Sequence, residues 1–230
     1  MHYFYQNPTH WTDILTAIGT VGTVVLTFFF YFFERIRNWI KRPKLELDVH
    51  FTPPECHKTI VKIGNEMADA YWFRLFATNV GDTPAKDIEV TIDKVYKKIE
   101  DKWTLYSAFL PSSLVWTHIN QPILNDLISG ATRNIDLGYI MDPEVRYKYT
   151  FENNPVLPNS MSEIFFNVSI SVRPFIGYNI IDSGEYKFSL IIGAKNCKPV
   201  KDQIILKFTN DWKDDEAKML NETVKISKEE

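Results

Sequence analysis

The feature that most constrains this chain is an unbroken uncharged apolar run, which extends from Ile14 to Phe33. A helix of about 20 residues, at about 1.5 Å per residue, matches the thickness of a bilayer core. No Lys or Arg precedes the run, and it ends in a block of aromatic residues. A signal peptide has a basic start and a small-residue cleavage site instead. The sequence therefore predicts an uncleaved transmembrane helix over residues 14–33.

A cluster of basic residues follows the apolar run and predicts its orientation. The cluster consists of Arg35, Arg37, Lys41, Arg42 and Lys44. Positive residues accumulate on the cytoplasmic side of a membrane helix, where they contact anionic headgroups. The sequence therefore predicts a short extracytoplasmic tail (1–13), a basic juxtamembrane segment (34–44) and a cytoplasmic remainder, in a single-pass protein of the inner (plasma) membrane.

The composition of the chain is that of a folded protein. It is 45% hydrophobic and 24% charged, which argues against disorder. From Leu45 onward 21 basic residues face 27 acidic ones, so direct binding of nucleic acid is not expected. Two cysteines, Cys56 and Cys197, are too few for a disulfide framework, and in a cytosolic domain both should be free thiols.

After Pro43 the hydrophobic pattern changes from helical to alternating. The segments that predict strands are 45–51, 71–79, 87–97, 135–140, 164–172, 186–194 and 203–208. Helical signals are sparse, and the clearest is residues 214–220, with acids in the first turn. This pattern predicts an antiparallel immunoglobulin-like β-sandwich over 45–210 and an acidic helix or tail over 211–230. Residues 111–132 and 142–162 are predicted to be long loops.

Several segments resemble prokaryotic proteins of one layout. LFATNVGDTPAKDIEV (75–90) resembles the N-x-G-x-x-P-A-x-x-[IV]-x-V hairpin of bacterial immunoglobulin-like domains. RNIDLG, GEYKF, NCKP and Trp212 with DEAKM resemble a widespread group of uncharacterised single-pass proteins. In that group an N-terminal membrane helix precedes a cytosolic β-sandwich, so the resemblance implies fold and topology. It implies no common activity, although some small membrane proteins of this layout act in prokaryotic antiviral systems.

One face of the predicted membrane helix carries hydroxyl residues. The stripe consists of Thr16, Thr20, Thr23 and Thr27, with Gly19 and Gly22 beside it. Small and hydroxyl residues let membrane helices approach closely and hydrogen-bond to one another. The stripe therefore favours a homo-oligomer, and a hydroxyl-lined pore where several helices assemble. In the alternative interpretation, each Thr bonds a carbonyl of its own helix about four residues back.

No catalytic or metal-binding motif is recognisable in the sequence. It contains no phosphate-binding glycine loop, dinucleotide fingerprint, zincin motif or nucleophile elbow. Glu55, Cys56 and His57 are consecutive potential ligands, but adjacent residues rarely point at one ion. We therefore expect no enzymatic activity, no metal and no cofactor.

Aromatic and acidic residues are the candidates for contact with a partner. They are Trp103, Trp116, Trp212, Asp214 and Asp215. Trp103 and Trp116 flank predicted loops, where an exposed ring can contact a protein or stack on a nucleotide. The two acids suit either a basic partner or a helix N-terminus. The sequence favours a membrane protein whose sandwich tethers a cytosolic protein partner, and the alternative is a membrane-perturbing antiviral (abortive-infection) effector that oligomerises through its helix.

Overall fold

The structure is a computed structural model that describes residues 9–63, 65–146, 163–171 and 179–229. It divides into two units, Met1–Arg42 and Pro43–Glu230. In the first unit, α1 (Thr9–Ile40) is one continuous helix. Its segment Trp11–Ile36 has a mean hydropathy of 1.9 and is nowhere buried in the structure. The predicted N-terminal apolar helix is therefore confirmed, and it is long and apolar enough to cross a membrane.

The second unit is built mainly from short strands. Those in the described residues are β1 (Leu45–Asp48), β2 (His57–Ile63), β3 (Glu66–Asn79), β4 (Ala85–Ile99), β5 (Lys102–Leu105), β6 (Ser112–Ser113), β7 (Val115–Trp116), β8 (Ile123–Leu127), β9 (Thr132–Met141), β10 (Phe166–Val168), β11 (Ile180–Ile181), β12 (Gly184–Ala194), β13 (Cys197–Phe208) and β14 (Val224–Lys228). Between β13 and β14 lie a short helix, α2 (Glu216–Lys218), and a π-helical turn, Met219–Thr223.

These strands form two antiparallel sheets. Sheet A has the order β1-β3-β9-β10-β11, with β2 also paired to β3 and β7 to β9. Sheet B has the order β14-β13-β12-β4-β5, with β6 and β8 also paired to β4. Every pairing within the two sheets is antiparallel. The predicted antiparallel β-sandwich is therefore confirmed.

The hydrophobic core lies between the two sheets. Side chains alternate between the faces of a strand, so every second residue of β12, and of β3 from Tyr71 onward, points inward. Phe73 of sheet A contacts Phe166 (ring centroids 5.6 Å apart), which in turn contacts Phe208 of sheet B (6.2 Å). Burial of each such side chain contributes about 1.5–3 kcal/mol. These aromatic contacts therefore join the two sheets into one folded unit.

One buried polar side chain ties the turns at one end of the sandwich together. Asn79 is 0% exposed. Its Nδ2 donates to the carbonyls of Thr83 (2.8 Å) and Leu127 (2.9 Å), and its Oδ1 accepts from the N–H groups of Lys44 (3.2 Å) and Gly81 (3.1 Å). Because a buried polar group is costly unless it is paired, this amide fixes the start of β1 and the turns that precede β4 and β9.

Several boundaries differ from the sequence-based predictions. Residues 111–132 are not one long loop, since they contain β6, β7 and β8. Of the predicted strand 164–172, residues 164–171 are described, and among these Phe166–Val168 form a strand. The sandwich also continues past residue 210, because β14 pairs with β13 and completes sheet B. Of the second predicted loop, residues 147–162 lie outside the described residues.

Candidate functional site

The threonine stripe of α1 is bonded to its own helix. The Oγ1 atom of Thr16 donates to the carbonyl of Thr12 (2.7 Å), and the other three hydroxyls donate to carbonyls four residues back at 2.8 Å. The structure thus contains the intrahelical bonds of the alternative interpretation. A Cβ placed on Gly19 or Gly22 would meet nothing within 4 Å. The face is therefore open, and self-association through it stays a prediction.

The predicted basic cluster spans both units of the structure. Arg35 is exposed on α1, with its Nη1 3.4 Å from the Tyr31 hydroxyl, while the side chain of Arg37 lies outside the described ones. Lys41 is exposed and Arg42 is half-buried. Lys44 already belongs to the sandwich, and its Nζ donates to Glu46 Oε1 at 2.7 Å. Among the described side chains of the cluster, Arg35, Lys41 and Lys44 are therefore exposed and accessible to lipid headgroups.

The expectation that Trp116 is an exposed contact is wrong. Trp116 lies on β7, which pairs with β9, and its side chain is 1% exposed in the core. Its indole Nε1 donates to the carbonyl of Pro122 at 3.1 Å, and its own carbonyl accepts from the N–H groups of Ile119 and Asn120. Trp116 therefore fixes the following loop and offers no surface to a partner.

Trp103 is half-buried on β5 of sheet B. Two lysines lie over its ring, with Lys187 Nζ 4.7 Å and Lys98 Nζ 5.9 Å from the centroid. Cation–π contacts of this kind contribute about 0.5–1 kcal/mol at exposed sites. Part of this ring is therefore already occupied by residues of the same sheet.

The other three candidates, Trp212, Asp214 and Asp215, lie together before α2. Trp212 donates from Nε1 to Asp214 (3.0 Å) and packs on Tyr71, with ring centroids 5.1 Å apart. Asp215 caps α2 by accepting from the Lys218 N–H at 2.9 Å. Burial, together with the nearby carboxylates, raises the pKa of Tyr71, whose hydroxyl donates to backbone carbonyls of this segment. These residues thus attach the C-terminal segment to sheet A.

A cavity of about 320 Å³ lies beside β3, β7, β9 and β10. The described residues that line it are Trp72, Val115, Asn120, Asp136, Tyr139, Val168, Ser169, Ile170, Ser171 and Asn179. Trp72 alternates with the core residue Phe73 along β3, so its side chain points to the opposite, outer face of sheet A. We regard this cavity as the candidate functional site of the sandwich.

Two aromatic rings that stack on each other line the cavity. Trp72 and Tyr139 are directly opposite each other in the register of β3 and β9. Their rings stack with centroids 4.8 Å apart and an interplanar angle of 29°. Tyr139 also packs against a small buried cluster formed by Ala68 and Met141. The rings are therefore held by cross-strand packing, which limits their rotation.

A carboxylate is fixed beside the two rings. Asp136 Oδ1 accepts from Arg74 Nε (3.1 Å) and from Thr117 Oγ1 (2.8 Å). The side chains of Arg74 and Asp136 are only 15% and 13% exposed. Arg74 Nη1 also lies 3.4 Å from His57 Nδ1. A charge this sheltered from water is stable only when it is paired, so Arg74 balances the carboxylate and holds its position.

The loop after β7 brings an amide side chain to the cavity. His118 and Asn120 have positive φ angles of 67° and 54°, a conformation that Asn tolerates better than most residues. The N–H of Asn120 donates to the carbonyl of Trp116 (3.0 Å), and the N–H of Trp116 donates to that of Gln121 (3.0 Å). These bonds close the loop tightly and position Asn120.

The opposite wall comes from the chain that follows β10. The N–H of Ser169 donates to the Leu137 carbonyl (3.0 Å), and that of Ser171 donates to the Ser113 carbonyl (2.8 Å). The N–H of Val168 donates to the Asn179 carbonyl (2.8 Å). Because these segments are bonded to β9 and its neighbours, the polar groups of this wall have fixed positions.

The sequence motifs did not reveal this cavity. Its lining comes from five segments that are distant in the sequence, so no short motif marks it. The available signal was the alternation in YWFRLF, which places Trp72 and Arg74 away from the core. Alternation alone does not place both Asp136 and Tyr139 there, because they share the outer face only through the register shift of β9 between Asp136 and Gly138. Among the described residues, no group of three or more His, Cys, Asp or Glu side chains could hold a metal ion.

Comparison with known proteins does not assign the chain to a family. No protein-family model and no curated protein matches the chain. The function must therefore be inferred from the helix, the surfaces of the sandwich and the cavity.

Proposed function

We propose that this chain is a non-enzymatic single-pass membrane protein whose cytoplasmic sandwich binds a protein partner and tethers it to the membrane. The observation that carries the proposal is the apolar segment Trp11–Ile36, which is nowhere buried in the structure. The same chain contains a β-sandwich that has its own hydrophobic core. An apolar helix left uncovered by its own protein requires a lipid or protein environment. The basic residues from Arg35 to Lys44 support a topology with the N-terminus outside.

The hairpin of β2 and β3 is the surface that best suits a protein partner. Ile60 and Met67 are 61% and 62% exposed, large fractions for apolar side chains on paired strands. Met67 lies opposite Lys62 in the pairing of β3 with β2, and Ile60 is two residues before Lys62 on β2. All three side chains therefore point to the same face of the sheet. In the described part of sheet A, β2 pairs only with β3 and forms an edge strand. An edge strand offers backbone N–H and C=O groups to a partner.

Affinity capture with the full-length protein in nanodiscs tests this proposal. We expect a protein captured by the wild type to be lost from a variant with Ile60→Lys and Met67→Lys. It should be kept by the control Ile99→Lys, which replaces an apolar residue that is 51% exposed on β4 of the other sheet. Capture that is equal in all three proteins would refute the hairpin as the docking surface. The orientation is tested with a C-terminal reporter that is active only outside the cytoplasm. Activity of this reporter would refute a cytoplasmic sandwich.

The second candidate function is a membrane effector that assembles through α1. It is favoured by the open surface beside Gly19 and Gly22, where a second helix can approach the backbone. We expect replacement of Thr16, Thr20, Thr23 and Thr27 by Leu to abolish leakage of dye from vesicles that contain the protein. The control replaces Val21 and Val25, on the opposite side of the helix, by Leu. Leakage that persists in the Thr variant would refute a pore formed through this face. The same variant should still capture a protein partner, because tethering does not need the threonines.

A further inference from the structure

We propose that the cavity beside β3 and β9 binds an uncharged cyclic small molecule with a polar rim, such as a nucleoside base or a pyranose sugar. The proposal concerns a different face of the molecule from the β2–β3 docking surface and does not depend on it. Three properties of its described lining lead to it: a pair of aromatic rings, a set of hydrogen-bonding groups, and a balanced charge.

The aromatic surface selects for a ring. Trp72 and Tyr139 are both half-buried and both line the cavity. Aromatic side chains stack on the π-face of a base, and this stacking tolerates any base because each has such a face. The apolar face of a sugar ring can pack on the same surface. A volume of about 320 Å³ is at the lower end of the range of ligand pockets, about 300–1,000 Å³, and therefore suits one or two rings.

The polar groups around the rings select for a rim of donors and acceptors. Asn120 carries an amide that can both donate and accept, and Ser169 and Ser171 add hydroxyl groups. Asn179 Nδ2 already donates to the Val168 carbonyl at 3.3 Å, so this amide offers mainly its oxygen as an acceptor. Arg74 and Thr117 both donate to Oδ1 of the Asp136 carboxylate. A carboxylate oxygen has further acceptor capacity, so Asp136 can accept a hydrogen bond from a ligand N–H or O–H.

The charges of the described lining residues favour a neutral ligand. Asp136 is the only charged residue among them, and Arg74 balances it. A phosphate or carboxylate would lose its hydration without gaining a cationic partner from these described residues. A cationic ligand would meet a carboxylate that is already paired. A neutral ligand has neither penalty, and the fixed positions of the loop and strands reduce the entropy lost on binding.

Titration calorimetry of the full-length protein in nanodiscs tests the proposal. The probes are guanosine and adenosine for the nucleoside class, and methyl β-glucoside and N-acetylglucosamine for the pyranose class. We expect one class to bind with a Kd of about 1 mM or tighter, which corresponds to about −4 kcal/mol. Guanosine monophosphate should bind more weakly than guanosine. Absence of binding by both classes, or tighter binding of the phosphate form, would overturn the proposal.

Two variants assign any binding to the cavity. Asn120→Gly removes the amide but keeps a residue that tolerates the positive φ angle, and Trp72→Ala removes one of the two aromatic rings that line the cavity. Each should weaken binding at least tenfold. The control Trp103→Ala removes a half-buried ring of sheet B and should leave binding unchanged. Because Asn120 is on an exposed loop, its variant should fold even where Trp72→Ala does not. Wild-type affinity in Asn120→Gly would place the ligand elsewhere.

Discussion

Substitution of Gly138 by Ala is predicted to destabilise the sandwich strongly. Gly138 is buried on β9, where it pairs with Val168 of β10. A Cβ at this position would lie 2.3 Å from Phe166 Cε1 and 2.4 Å from the carbonyl oxygen of Asn167. Favourable contacts between carbon atoms are about 3.5–4.0 Å long, so β9 and β10 would have to separate by more than about 1 Å.

The neighbouring atoms determine the size of this effect. The Asn167 oxygen is backbone and cannot rotate away, and Phe166 is held between Phe73 and Phe208 in the core. Overpacking of a core costs typically about 1–3 kcal/mol, and we expect the upper end of that range. The free energy of unfolding falls by about 2 kcal/mol per M of urea, so the urea concentration at the unfolding midpoint should fall by roughly 1.5 M.

Urea unfolding of the full-length protein, followed by tryptophan fluorescence, measures this shift. The matched control is Gly193→Ala on β12, where the new Cβ would meet only Pro199 Cβ at 3.8 Å, an ordinary contact. We expect the control to change the free energy of unfolding by less than about 0.5 kcal/mol. An equal midpoint in the Gly138 variant and the wild type would refute the close approach of β9 and β10.

Three other perturbations test other parts of the sandwich. Asn79→Ala leaves four backbone groups without their buried partner and should lower the free energy of unfolding by at least about 3 kcal/mol; a loss below 1 kcal/mol in urea unfolding would contradict this role. Burial acts to raise the pKa of Asp182, but hydrogen bonds, foremost from Lys97, outweigh it and leave the pKa lowered. The carboxylate therefore stabilises the native state above the unfolded-state pKa of about 3.9, and this contribution is lost as the pH falls through the native value. Asp182→Asn should flatten the acid side of the stability curve, and curves that run parallel from pH 3 to 7 would exclude this. Burial raises the pKa of Cys56 to about 11, and its side chain is 0% exposed, so in a Cys197→Ser variant at pH 8 a thiol reagent should react only after urea unfolding; rapid labelling of the native variant would contradict it.

The sequence was sufficient to predict those elements whose hydrophobic pattern extends over many residues. The apolar helix and the main parts of β3, β4, β12 and β13 were predictable because alternation over many residues reports directly on burial. The strands β6, β7 and β11 have two residues each, which is too short for any period to be recognised. Their pairing depends on residues far along the chain, so residues 111–132 looked like a loop.

The candidate site was less predictable than the fold, for a related reason. Trp116 was expected at the surface because its segment lacked a clear pattern, and its burial follows from the pairing of β7 with β9. The cavity needs five segments in one place, which only the completed sheet provides. The spacing of the threonines in α1 identified their common face, but spacing alone could not distinguish acceptors in the same helix from acceptors in a second one.

The close approach at Gly138 and the proposed ligand site involve the same strands, so stability and binding should be coupled. β9 contributes Asp136 and Tyr139 to the cavity, and the chain from Val168 to Ser171 contributes the opposite wall. A ligand that binds only the native state stabilises it by about 2.7 kcal/mol at 100 times its Kd. A saturating ligand should therefore raise the urea midpoint of the wild type. It should do so far less in Gly138→Ala, because separating β9 from β10 displaces one wall of the cavity. An equal ligand-induced shift in both proteins would show that the ligand binds away from these strands.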